Sequence, residues 1–264
     1  MQRTILGHSG LDVPVFCVGT APLGQVPCGE AVQTLHRAYE LGATWWDTAD
    51  TYGTEALVGE ALAHVERKLV TISTKITVEE YYDTKSAVVQ AKERLGVHTI
   101  DILFMHYVKD RADFEARRGC LNALRDLRAN AEIGAVGLSG HDAEAIRLAA
   151  DQPEIDVVMA PWNAFGYMPD RVGEMREMED AIKACHAAGK GVVLMKVLDA
   201  GRLRPQCDDA IKAAAQFKAK HAVIIGVSSI LELETDIRLV LGEPVDASIL
   251  RYLKTGSSDG RKAA

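Results

Sequence analysis

Short apolar runs recur along this chain, separated by longer stretches in which apolar residues return every three or four positions. The runs occupy residues 15–18, 44–46, 70–74, 100–105, 135–138, 157–159, 191–195 and 222–225. Runs of this length, apolar on both faces, are what strands buried in a parallel sheet require. The amphipathic stretches lie at 30–41, 54–66, 84–95, 113–129, 142–150, 173–188, 208–220 and 230–241, and predict helices. Gly42, Gly96 and Gly189 stand where helix ends favour a residue free to adopt positive φ. Repeated strand–helix units predict a parallel α/β fold, and eight of them favour a closed (β/α)8 barrel over an open sheet.

The first residues break this rhythm. Short apolar runs flank Gly7 to Gly10, a hairpin signal, and Pro14 separates that hairpin from the first barrel strand because it cannot donate to a central ladder. The hairpin is expected to close the bottom of the barrel. Residues 1–253 therefore read as a single domain, and the polar, Gly- and Ser-rich residues 254–264 as a disordered tail.

Composition narrows the function classes. A net charge of -7 argues against a nucleic-acid partner, since phosphate neutralisation needs basic surface. No apolar run approaches the roughly 20 residues that span a bilayer, so no membrane role is expected. The start Met1-Gln2-Arg3-Thr4 lacks the apolar core of a signal peptide, which predicts a cytoplasmic protein. The five cysteines (Cys17, Cys28, Cys120, Cys185 and Cys207) are scattered without a C-x-x-C pair, so no metal site is expected. Nothing in the sequence sets an oligomeric state.

The candidate chemistry lies at strand ends. Asp47 closes one apolar run, Lys75 the next and His106 a third, while Tyr52 follows just after Asp47. In a βα barrel the C-terminal strand ends share one mouth, so these four side chains should converge there. Each alone is ordinary: a cap, a solvated lysine, a packed histidine. Together they form a proton-transfer set. A phenol is a poor acid at neutral pH, and an ammonium at ~4 Å in an effective dielectric of ~20 attracts the phenolate by at most about 4 kcal/mol. Lys75 is thus expected to lower the Tyr52 phenol by as much as roughly three pKa units. Asp47 would keep Lys75 charged, and His106 would add a donor for a carbonyl oxygen.

The hairpin start, Asp47-Thr48-Ala49-Asp50-Thr51-Tyr52-Gly53, Ser73-Thr74-Lys75 and Asp101 to His106 together resemble the aldo-keto reductases. The resemblance implies a (β/α)8 barrel that binds NADP or NAD in extended form. It also implies a catalytic tetrad of Asp47, Tyr52, Lys75 and His106, with Tyr52 as proton donor. By the same resemblance, Gly19 and Thr20 approach the nicotinamide ribose and Ser139 contacts its carboxamide. Gly140 replaces the usual asparagine, Met159 replaces a glutamine, and Asn163 matches the asparagine that ends that motif. Met195-Lys196-Val197-Leu198 is similar to the M-K-P-L form of the seventh strand end, and no C-terminal cysteine cluster follows it.

At the adenosine end, Gly226-Val227-Ser228-Ser229 resembles the last phosphate-binding turn of the family. Helix N-termini suit anions. Family members usually follow this turn with a cation for the 2′-phosphate, whereas here the region carries Glu232, Thr235 and Asp236. A carboxylate repels phosphate but accepts from a ribose hydroxyl, which leans the reading towards NAD. Lys196, Arg202 and Arg204 remain candidates for the pyrophosphate.

The expected activity is hydride transfer between a nicotinamide nucleotide and the carbonyl of a small aldehyde or ketone. A shallow pocket lined by Tyr107, Trp162 and Phe165 would hold that small-molecule substrate. The alternative is a nucleotide-binding regulatory or redox-sensing subunit on the same barrel with little turnover. The replacements at Gly140, Met159 and Glu232 leave room for it.

Overall fold

The alternating pattern closes on itself in a computed structural model that describes residues 1–168 and 174–255. Two short strands, β1 (Arg3–Ile5) and β2 (Asp12–Pro14), form an antiparallel hairpin. Eight parallel strands then make a closed barrel: β3 (Phe16–Gly19), β4 (Trp45–Asp47), β5 (Thr71–Ile76), β6 (Ile100–Val108), β7 (Ile133–Gly140), β8 (Val157–Pro161), β9 (Gly191–Met195) and β10 (Ala222–Gly226). β10 pairs back onto β3, with Gly226 opposite Gly19. The fold is a (β/α)8 barrel.

Period-two alternation sorts the strand residues into two cores. Cys17, Trp45, Ile102, Phe104, Val193 and Ile224 fill the barrel interior. Their neighbours Phe16, Val18, Trp46, Leu103 and Val192 face the surrounding helices. Phe104 fits because β7 offers a glycine beside it; a Cβ on Gly137 would lie 2.2 Å from the Phe104 ring. The hairpin adds Leu6 and Val13 to the interior, and the His8 N–H donates to the Gly189 carbonyl at 2.7 Å. It thus covers the N-terminal end of the strands, next to where β9 begins.

The helices are α1 (Cys28–Glu40), α2 (Glu55–Leu62), α3 (Tyr81–Leu95), α4 (Arg111–Ala116), α5 (Arg118–Ala129), α6 (Ala143–Ala150), α7 (Met175–Ala187), α8 (Cys207–Gln216), α9 (Ile230–Leu241) and α10 (Ala247–Thr255). Several bounds differ from the sequence expectation, three of them in ways that matter here. The helix expected over 113–129 breaks at Arg117, whose guanidinium turns to the His106 carbonyl (2.8 Å) and to Asp113 (3.1 Å). The helix expected from 173 starts at Met175, and residue 173 lies outside the described residues. The expected tail from 254 begins inside α10, where Lys254 pairs with Asp208 at 2.6 Å; residues 256–264 lie outside the described residues. Among the described residues, no helix is long and apolar enough to cross a membrane.

Candidate active site

Adjacent strands bring the chemistry together. β4 and β5 pair with Asp47 opposite Ser73. Ser73 and Lys75 are two residues apart, so both point to the same face of β5. The Ser73 hydroxyl donates to Asp47 Oδ1 at 2.7 Å, and the Lys75 ammonium donates to Asp47 Oδ2 and to the Thr48 carbonyl at 2.7 Å. The Trp45 indole N–H donates to Ser73 Oγ at 3.0 Å. Lys75 and Asp47 are both buried, and a buried ion pair is tolerable only with its remaining valences satisfied, as they are here.

Tyr52 sits on a single 3-10 turn, Asp50–Tyr52, which ends at Gly53 with φ of 70°. Lys75 Nζ lies 4.8 Å from the centroid of its ring. The His106 ring stands edge-on to Tyr52, with centroids 5.8 Å apart. His106 does not end its strand as expected: β6 runs on to Val108, and its register with β7 shifts between Met105 and Val108. Tyr107, inside that irregularity, has φ of 54°. The four residues Asp47, Tyr52, Lys75 and His106 do converge.

Their electrostatics depart from the expectation in one respect. Burial is the largest single influence and opposes the Lys75 charge, but Asp47, with help from Tyr52 and Cys17, holds the ammonium above the usual lysine range. For Tyr52, burial is the larger influence and the Lys75 charge the smaller, so the phenol is raised, not lowered. The net shift is thus opposite to the expectation: Lys75 does lower the phenol, but loss of water around the phenolate outweighs it.

A cavity of about 470 Å³ opens beside Tyr52 and Asp47 and runs outward to α9 and α10. Gly19, Met159, Met195 and Gly226 line its inner part. Lys196, Leu198 and Ala200 follow, and Ser228, Glu232, Asp236 and Leu253 line the outer end. Lys196, Asp199 and Ala200 all have left-handed backbone, with φ of 56°, 46° and 53°. Such conformations cost non-glycine residues about 1–2 kcal/mol each and concentrate at binding sites.

Four residues expected at the nucleotide do not line this cavity, and three of them spend their polar groups on the protein. The Thr20 hydroxyl is 2.8 Å from both the Asp47 carbonyl and the Thr54 hydroxyl. Ser139 Oγ donates to the Met105 carbonyl at 3.3 Å and accepts from the Tyr107 N–H at 3.2 Å. Asn163 clasps its own loop, donating to the Tyr167 carbonyl at 2.7 Å and accepting from the Phe165 and Tyr167 N–H groups. The fourth is Gly140, where a Cβ would lie 2.6 Å from the Val108 carbonyl oxygen. The shifted β6–β7 pairing thus leaves no room for the usual asparagine.

The substrate-pocket expectation also changes. Trp162 is buried, with its N–H on Glu179 of α7 (3.1 Å) and its ring 4.8 Å from that of Phe217. Tyr107 packs edge-on against His141, and Phe165 is exposed on the loop after β8. None of the three lines the cavity.

At the outer end, Glu232 Oε2 accepts from the Ser228 N–H at 2.8 Å and from its hydroxyl at 2.7 Å. The other oxygen lies 3.8 Å from Arg204, which also donates to the Leu253 carbonyl. Asp236 is buried nearby, and burial followed by the Glu232 charge pushes its carboxyl well above the usual range. Arg202 pairs with the buried Asp199 at 2.8 Å and does not line the cavity. Ser73, Asp50, Thr54 and α10 were not singled out from the sequence; only Ser73, two before Lys75, carried a positional signal. Among the described residues, no group of three or more His, Cys, Asp or Glu could hold a metal ion.

The model of the Aldo/keto reductase family matches residues 15–222. The chain belongs to that family. Solved aldo-keto reductase structures have the same fold. An aldo-keto reductase from Bacillus halodurans, in its holo form, superposes with a TM-score of 0.80 at 19% identity, covering 99% of each chain. A protein of Pseudomonas aeruginosa assigned to the aldo-keto reductases superposes with a TM-score of 0.78 at 23% identity, covering 91% of this chain and 95% of that one. Membership in the aldo-keto reductases implies an oxidoreductase that uses NADP or NAD on a carbonyl substrate.

Proposed function

We propose that this aldo-keto reductase reduces small aldehydes or ketones with Tyr52 as proton donor and a lean towards NADH. The observation that carries the reading is the convergence of Tyr52, Lys75, Asp47 and His106, with Tyr52 and Asp47 on the wall of one cavity. The cavity suits an extended dinucleotide. Its inner walls are apolar at Met159, Met195 and Ile224, while its outer end is polar at Ser228, Glu232 and Asp236. When bound, the reduced nucleotide supplies a hydride to the carbonyl carbon.

The protein supplies the proton and its control. As the carbonyl oxygen gains charge, Tyr52 gives it the phenolic proton, yielding the alcohol and a phenolate. Lys75 stabilises that phenolate, and Asp47 and the Thr48 carbonyl keep Lys75 charged and in place. Solvent then restores the phenol. The raised pKa of Tyr52 keeps the proton on the donor until a substrate draws it off. His106 donates to the same oxygen.

The nucleotide preference rests on Glu232. Its carboxylate occupies the Ser228 donors that a 2′-phosphate would use, and adds a like charge beside it. Asp236, with its proton retained, can donate to an adenosine acceptor.

Steady-state oxidation of NADH and NADPH with a panel of small aldehydes, beside fluorescence titration of both nucleotides, tests this. Turnover with tighter NADH binding is expected. Tight nucleotide binding without turnover would instead support the regulatory subunit, a reading to which the engaged Ser139 and Asn163 side chains lend weight.

A further inference from the structure

Two buried polar atoms in this protein face each other without a hydrogen bond. Asp50 Oδ1 and His106 Nδ1 are both enclosed, both lack a hydrogen-bond partner, and lie 3.9 Å apart. An unpaired buried polar atom is costly, so a facing pair left slightly apart calls for a reason.

The surroundings fix the carboxylate, not the ring. Asp50 Oδ2 accepts from the Thr77 N–H at 3.3 Å and lies 3.4 Å from its hydroxyl, which ties the 3-10 turn to the end of β5. Asp50 also lines a second cleft, about 500 Å³, with Asp83 and Arg94. Burial works against the Asp50 charge, but His106 and the backbone donors outweigh it, and the carboxyl is held below its usual range. The His106 ring also stands edge-on to Tyr52, and its carbonyl is held by Arg117, itself paired with Asp113.

We infer that Asp50 is the positioning residue of His106: its carboxylate draws in Nδ1–H as substrate enters, and its charge balances an imidazolium whose Nε2–H meets the carbonyl oxygen. This rests on the reductase reading above. The need follows from proton count. A neutral ring that gives Nδ1–H to Asp50 has only a lone pair at Nε2, so it cannot donate there. A ring carrying both protons can do both, and Asp50 supplies the compensating charge within the 3.9 Å gap. Tyr52, made less acidic by burial, gains most from such a second donor.

The test compares wild type with Asp50→Asn and Asp50→Glu, each checked for an unchanged circular-dichroism melt and nucleotide titration. Nitrogen-15 NMR of the His106 ring at neutral pH should show both nitrogens protonated in wild type and one in Asp50→Asn. The kcat for carbonyl reduction should fall about 10- to 100-fold in Asp50→Asn with little change in KM, and Asp50→Glu should recover part of it. Equal ring spectra and equal kcat in wild type and Asp50→Asn would overturn the inference. If wild type reduces no carbonyl, the reductase reading fails on its own, while the ring spectra still decide whether Asp50 controls the His106 protons. Should Asp50→Asn fold poorly, Thr77→Ala, which loosens only the other carboxylate oxygen, separates loss of the turn from loss of ring control.

Discussion

Lys75 lies 4.8 Å from the centroid of the Tyr52 ring, yet the phenol beside it is a weaker acid than free tyrosine. The charge is present, but the pocket that brings it close also strips water from the phenolate. On the proposed mechanism, proton donation by Tyr52 would depend on the substrate oxygen becoming basic at the moment of transfer, not on a preformed phenolate.

Tyr52→Phe should lose roughly 10² to 10⁴-fold in kcat for carbonyl reduction while nucleotide affinity stays near wild type. A loss below about tenfold in stopped-flow or steady-state assays would rule out Tyr52 as the donor. The pH dependence carries a matching sign. Because the phenol sits above its ordinary value of 10.0, the protonated donor persists through neutral pH, and alcohol oxidation, which needs the phenolate, should climb with pH past that value.

Lys75→Met should abolish most activity and move the alkaline limb of any residue of it to higher pH, since the phenolate loses its cation. It also leaves Asp47 buried and half-paired. Breaking a buried ion pair costs about 3–5 kcal/mol, so the thermal midpoint should fall by well over 5 °C. Asp47→Asn should cost less catalysis, with a similar loss of stability. A Lys75→Met protein as stable as wild type would contradict the buried pairing.

Glu232→Arg should shift preference towards NADPH by about 1–2 kcal/mol, the scale of a screened charge swap at a partly exposed site. Glu232→Gln separates two contributions, since the amide oxygen can still take the Ser228 N–H but carries no charge. Calorimetric titration that finds wild type binding NADPH far more tightly would move the phosphate to Arg204 or Lys196, both on the cavity wall.

His221 links fold stability to acid. Its Nδ1 accepts the Val192 N–H at 3.0 Å, which demands an unprotonated nitrogen. Burial, then His186 and Lys220, lowers its pKa from 6.5 to about 4. The folded value lies below the unfolded one, so this contribution is complete above pH 6.5 and is lost as pH falls towards 4. His221→Gln, which keeps an acceptor without a titrating ring, should flatten the melting-temperature profile across that window. Parallel profiles for the two proteins would refute the linkage.

Much of this was legible in the sequence because barrel geometry converts strand ends into a place. Asp47 and Lys75 close apolar runs, and the two strands pair in register, so their meeting follows from pattern alone. The β6 irregularity was not legible. It is set by how β6 and β7 pair, which holds Gly140 against the Val108 carbonyl, and no local residue pattern announces that pairing. Thr20, Ser139 and Asn163 matched by residue type and position, but a hydroxyl or amide turns to whichever partner is nearest, and here that is the protein itself. Helix α10 escaped notice because its stripe is short, although Asp246 before it caps the Ser248 N–H in the usual manner.

The cavity lies on the line where the ring of strands is completed. Gly19 belongs to the first strand of that ring and Gly226 to the last, and they are paired neighbours on its wall; Leu253 adds the final helix. Residues more than two hundred positions apart thus line one cavity. On the proposed function, a nucleotide bound there would act as a clasp between the first and last strands of the ring, and would stabilise their join by mass action. Hydrogen exchange of β3, β10 and α10 should slow together on binding, ahead of the far side of the ring at β6 and β7.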